Sequence, residues 1–340
     1  MSFKSFALVT LISIFLIIVA GSVVRMTGSG MGCPDWPKCF GLIVPPISID
    51  QIEWEQGKSF VQGQMIIHLE QLWSANADFV STDMYNSSNW TLYTKHDYAK
   101  FNPAHTWTEY LNRLIGAVSG VFTFVMLLMS FRYWQTKRRI IYLSALVVFL
   151  MGFQGWLGAV VVFSVLQPIQ ITIHMLMALF IVALMVYLIT ELPEEKPQTN
   201  LTFDLKLRNL VLAALGLSLV QIALGTQVRQ LIDVVSASLD YGQRNLWLDL
   251  VGDTFKIHRS FAIVLVLVNC LLFFRNYKFK LGFKLPKYIV AVIFVEVISG
   301  MILSYMDMMS LMQPVHMVAA SVLFVLQVSL CFQLNKLKTI

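Results

Sequence analysis

Eight stretches of the chain, near residues 6–25, 108–131, 140–163, 168–190, 209–228, 255–274, 287–306 and 313–333, are apolar enough and long enough to cross a membrane as helices. In hydrocarbon every backbone N–H and C=O needs an internal partner, so isolated apolar stretches of this length can only be helical. Hydrophobic residues make up 57% of the chain and charged residues 13%, with a mean hydropathy of +0.70. These values exclude a soluble domain, and the fold class is an all-α integral membrane protein.

The formal net charge of +6 could suggest a nucleic-acid partner, but its placement explains it better. Lys4, the Arg132 to Arg139 cluster, Lys196 to Arg208, Arg275 to Lys287 and the final Lys336 and Lys338 all fall on one side of the predicted spans. By the positive-inside rule that side is cytoplasmic, with both termini there. Acidic residues concentrate in the opposite loops. The basic excess is therefore a topology signal, and no nucleic-acid role is expected.

The first apolar stretch resembles a signal peptide, since Lys4 precedes it and Ala20-Gly21-Ser22 follows. It reads better as a retained span, because Gly21-Ser22-Val23-Val24-Arg25 is echoed by Gly225-Thr226-Gln227-Val228-Arg229. The echo extends further. Asn112-Arg113 matches His258-Arg259, each pair opening a span from outside. Sixteen residues separate Gly158 from His174 and sixteen separate Gly300 from His316, and both histidines follow a Gln-Pro pair. The expected architecture is two repeated four-helix bundles related by a pseudo-twofold axis along the membrane normal. The units are residues 1–190, with a long outer loop at 26–107, and 209–340, joined by a cytoplasmic linker at 191–208.

In that outer loop Cys33 and Cys39 could ligate a metal or form a disulfide; without a second Cys or His pair at zinc spacing, a disulfide is favoured on the outer face. Cys270 and Cys331 read as buried thiols. Residues 60–73 show a helix-like alternation and are expected to lie on the membrane surface or cap the site. His68 and His96 read as solvated surface. Gly152, Gly155 and Gly158 permit close helix packing.

Glu109, Asn112, Arg113, Gly116 and Gly120 share one face of the second span, and His105 joins it if the helix starts early enough. A buried salt bridge would account for Glu109 and Arg113 alone. Asn112, His174, His258 and His316, however, lie on spans two, four, six and eight, all near their outer ends. Facing helices with one histidine each are an arrangement that holds haem iron from both faces, and His258 with His316 makes such a pair. A copper or zinc site would need further Cys, Met or carboxylate ligands. Haem propionates need cationic donors near water, and Arg113, Arg259, Arg25 and Arg229 stand at that level; interfacial snorkelling also fits Arg25 and Arg229. Asn112 is a poor iron ligand, so iron held by His174 keeps an open side beside Glu109 unless His105 swings in.

These residues resemble the haem A synthase, or CtaA, family. The resemblance covers nearly the whole chain and rests on Thr27-Gly28-Ser29-Gly30 with Cys33-Pro34-Asp35-Trp36-Pro37-Lys38-Cys39, on Glu109-Tyr110-Leu111-Asn112-Arg113 with Gly116, and on the histidines of spans four, six and eight. It implies oxidation of the C8 methyl of haem O to a formyl group, giving haem A for a terminal oxidase in the inner (plasma) membrane, by two hydroxylations and loss of water. It implies a haem b between His258 and His316 and the substrate near His174, both toward the outer face. Haem O synthase and an electron acceptor are the implied partners, and a homo-oligomer is compatible with the sequence. The family motif places a histidine three residues after the glutamate, where this chain has Asn112. Glu109 is the expected proton acceptor. The competing readings are a di-haem b cytochrome passing electrons from quinol to an outer partner, which needs no Glu109, and a repeat-built transporter, disfavoured because the spans lack mid-membrane breaks.

Overall fold

The computed structural model of the chain describes residues 2–94, 100–192 and 201–338. His96 and much of the linker between the halves, including Lys196, lie outside them. Among the described residues eight helices are long and apolar enough to cross a membrane. They are α1 (Phe3–Thr27), α2 (Pro103–Ser130), α3 (Arg138–Phe163), α4 (Pro168–Thr190), α5 (Leu205–Ser238), α7 (Asp253–Lys278), α8 (Leu285–Tyr305) and α9 (Met312–Lys338), with a short α6 (Trp247–Val251) before α7.

Local chemistry sets the helix ends. Asn102 caps α2 by accepting the N–H groups of Ala104 and His105, and Pro103 occupies the first turn, where a missing N–H costs nothing. The helix therefore begins early enough to place His105 one turn before Glu109. Gly28, at φ 68°, closes α1 by donating its N–H back to Val24 and Arg25. α5 runs about ten residues past the expected span, through Ser238, so its outer end projects as helix rather than loop.

α1 packs on α2, α2 on α3, α3 on α4 and α4 on α1; α5 packs on α7, α7 on α8, α8 on α9 and α9 on α5. α1, α4, α5 and α9 also meet one another at the centre. One core cluster includes Phe3, Ile14, Met126, Val147 and Leu179, and a second includes Val211, Leu265, Leu272, Ile293 and Leu330. The outward faces carry exposed residues such as Ile12, Phe149 and Phe294, as lipid contact requires. A buried polar chain ties the second cluster: Ser218 donates to Gln327, which donates to Asn269. In a membrane such hydrogen bonds hold helices where apolar contact alone does not discriminate.

At the N-terminal end of α5 Asp204 caps the helix through Leu207 N–H at 2.6 Å and takes Arg275 through both carboxylate oxygens at 2.7 Å. The Arg275 hydrogen bond holds the Asp204 carboxyl below its usual range. A depressed folded-state value contributes stability above the ordinary carboxylate pKa of about 4 and loses it as pH falls through the lowered value. Asp204→Ala should thus lower thermal stability in detergent at pH 7, with the lost cap alone worth about 1 kcal/mol. The gap to the parent protein should narrow as the pH falls below the ordinary carboxylate range.

The outer segment corrects two expectations. Residues 60–73 do not form a helix. β1 (Ser59–Phe60) pairs with β4 (Phe79–Val80), and β3 (Gln71–Ala75) lies between β2 (Met65–His68) and β5 (Trp90–Leu92), all antiparallel. The β2–β3 turn is Leu69-Glu70, both at positive φ, a tight hairpin turn without the usual Asn-Gly signal. His68 is half-buried, stacked on Tyr85 with ring centres 4.1 Å apart, rather than plainly solvated.

Candidate functional site

The outer ends of α1, α2 and the loop between them form one clasp. Cys33 and Cys39 are joined in a disulfide, and both are fully buried in a small core with Phe40, Ile52, Met65 and Leu72. Glu109, 4% exposed, holds this loop from below: one oxygen accepts the Cys33 N–H at 2.9 Å and the other accepts from Arg113. Arg113 also donates to the carbonyls of Asp35 at 2.7 Å and Lys38 at 2.9 Å. Thr106 donates to the Gly32 carbonyl at 2.8 Å. The approach is so close that a Cβ on Gly32 would stand 2.4 Å from the His105 carbonyl oxygen, so only glycine allows the loop to reach Glu109. Burial pushes the Asp35 carboxyl above its usual range, although the Gly41 N–H donates to it at 2.9 Å. Burial and the neighbouring Asp35 push the Tyr93 phenol up to about 12.

Asn112, His174, His258 and His316 share one local construction. A Cβ built on Gly21 would stand 4.0 Å from Asn112 Oδ1, one on Gly158 3.5 Å from His174 Cε1, one on Gly225 3.2 Å from His258 Cε1, and one on Gly300 3.4 Å from His316 Cε1. Each polar side chain therefore rests against bare backbone of the neighbouring span, which is what the glycine echo in the sequence provides. All four are half-buried, edging open space. His174 Nδ1, His258 Nδ1 and Asn112 Oδ1 are buried atoms with no hydrogen-bond partner.

The His258 and His316 rings face one another with centres 6.5 Å apart and planes at 77°. Two metal–imidazole bonds of about 2 Å, each with about 1 Å more from nitrogen to ring centre, span roughly 6 Å. An iron between two imidazoles fits this gap. Gln221 donates to the His258 backbone carbonyl at 3.1 Å, and Gln154 does the same for His174 at 3.0 Å.

The arginines divide. Arg25 and Arg229 share Asp233: Arg25 pairs with it at 2.8 Å, Arg229 pairs with its other oxygen, and Arg229 also donates to the Arg25 carbonyl at 3.1 Å. Two cations on one carboxylate leave a net positive charge between α1 and α5. Arg259 is exposed, stands over the Phe255 ring at 5.6 Å and has no acidic partner among the described residues. Phe255 occupies in the second half the place Glu109 has in the first, four residues before the arginine, so the carboxylate is specific to the first half. His105 is half-buried on the first turn of α2, on the Glu109 side.

Sequence reasoning missed Glu296, Ser299 and Asp233. Glu296 stands in mid-span of α8 and lies 3.0 Å from His316 Nδ1; an acidic residue inside an apolar span was the available signal. No comparable signal marks Asp233, whose two partners are brought together only by the fold.

Residues 4–328 match the family described as cytochrome oxidase assembly protein, COX15-CtaA. The chain is 26% identical over 307 residues to a haem A synthase of Pelagibacter ubique, covering 80% of each chain. It is 26% identical over 297 residues to one of Flavobacterium johnsoniae, covering 79% of this chain and 78% of the other. A haem A synthase of Shewanella oneidensis is 25% identical over 209 residues, 61% of this chain and half the length of that relative.

Proposed function

Because the chain belongs to the COX15-CtaA family of cytochrome oxidase assembly proteins, we propose that it is an oxidoreductase that converts haem O to haem A, oxidising the C8 methyl to a formyl group. Its relatives of that name support the reading, and so does the site. The observation that carries it is the facing His258 and His316 pair, 6.5 Å between ring centres, each ring backed by a glycine.

In this reading the protein is two four-helix units, residues 1–190 and 209–340, in an inner membrane with both termini cytoplasmic and both sites toward the outer face. The matched packing of α1 to α4 with α5, α7, α8 and α9 supports the duplication. His258 and His316 hold a haem b, which when bound supplies one-electron transfer. The first unit would take haem O at His174, with Asn112, a poor iron ligand, standing where the second unit has His258. Arg259, exposed and without an acidic partner among the described residues, is the propionate donor of the second unit; Arg25 and Arg229 add the positive charge left over from Asp233. Arg113 is committed to the loop carbonyls and to Glu109, so its part is to hold the clasp.

Glu109 is the proton acceptor for the methyl oxidation. The Cys33 N–H and Arg113 fix the orientation of its carboxylate. Its full set of hydrogen bonds also favours a second reading, a di-haem cytochrome in which Glu109 is only the clasp.

Expression in a host that makes haem O but no haem A separates the two. Extracted haem should contain the formyl form. Haem O persisting unchanged beside correctly inserted protein would support the cytochrome reading.

A further inference from the structure

Among the four repeat-related positions only His316 is held by a charged partner. Its Nδ1 lies 3.0 Å from Glu296 Oε2 and 2.9 Å from Ser299 Oγ. Ser299 donates its own proton to the Glu296 backbone carbonyl at 3.1 Å, so both groups at Nδ1 act as acceptors. The ring proton therefore sits on Nδ1, and Nε2 keeps a free lone pair. His174 has no such support. Twenty residues before it, where Glu296 stands before His316, is Gln154, which bonds only the His174 backbone. In the place of Ser299 is Leu157.

Glu296 is not explained by helix packing. It sits in the middle of α8 with its side chain 15% exposed, and His316 is its one ion-pair partner among the described residues. A carboxylate at that depth is costly, and a glutamine or leucine would pack as well.

We propose that Glu296 and Ser299 are positioning residues for the His316 iron ligand, holding Nε2 toward the iron, and that the Glu296 charge biases the C-terminal haem toward its oxidised form. The inference rests on the haem reading above. A carboxylate on the far nitrogen makes an imidazole a stronger donor, and the stronger donor favours the more positive iron. His174, lacking the pair, holds its haem with no such bias, so the two units sit at different potentials.

The test is a redox titration of the full chain, purified in detergent with haem bound, against E296Q, E296L and S299A. Glutamine can still accept the Nδ1 proton but carries no charge. E296Q should keep the two-imidazole low-spin haem and lose about tenfold in preference for the oxidised state, a rise of about 60 mV at one electron. E296L should weaken haem retention by about 10–100-fold. S299A should raise the potential in the same direction by less. An E296Q midpoint equal to the parent value, with haem retained, overturns the proposal; if E296Q does not fold, an unchanged S299A midpoint overturns it instead. A parent protein with no low-spin haem would sink the haem reading itself, before any variant is compared.

Discussion

His258→Ala is expected to abolish the low-spin haem signal of the purified protein while leaving the chain folded. The imidazole rests against the bare backbone of Gly225 and faces His316 across a gap of one metal ion's width. Alanine fits that place without strain, so the fold should survive. The iron would keep His316 alone, and retention should fall by more than the roughly 10–100-fold that loss of a supporting outer partner costs. Among the described residues no other histidine is at hand, because His68 belongs to the outer sheet, His105 to α2 and His174 to α4. The optical and paramagnetic spectra of the variant check this. A spectrum unchanged from the parent protein would move that haem elsewhere.

Glu109→Ala is expected to reduce haem A formation by about 10²–10⁴-fold, the usual contribution of a positioned acid or base, with the C-terminal haem still bound. Alanine also deletes the acceptor of the Cys33 N–H and leaves Arg113 without its carboxylate, so the loop should loosen together with the chemistry. Glu109→Gln separates the two effects. Its amide oxygen can still accept the Cys33 N–H, but it cannot take up a proton at neutral pH. Haem extracted from cells carrying each variant gives the answer. Loss of product in both assigns Glu109 to proton transfer; full product in the glutamine variant would reduce its part to holding the loop.

The membrane architecture was legible because hydrocarbon leaves the chain so few options: the eight predicted spans are eight helices, with ends shifted by a few residues at Asn102 and Gly28 and by about ten at the far end of α5. The polar positions were legible too, since a side chain's depth follows from counting along a helix, and the glycines opposite Asn112, His174, His258 and His316 appear in the sequence as an echo. The outer sheet was hidden for a local reason. Residues 60–73 read as a helix-like alternation, and the turn that decides against a helix, Leu69-Glu70, lacks glycine or asparagine. Arg113 shows a different limit. It was expected to face a ligand, yet its donors go to backbone carbonyls of Asp35 and Lys38, and backbone acceptors have no signature in a sequence. Asp233 is a third kind of case, an acidic residue on an outer helix end whose two arginine partners come from different halves.

The account depends most on an iron porphyrin being gripped by two imidazoles in the second half of the bundle. The direct measurement is the absorbance of the full-length protein, purified from a host well supplied with haem. A strong Soret band with a low-spin, two-imidazole signature is the predicted result. Folded, membrane-inserted protein with no Soret absorbance would contradict it.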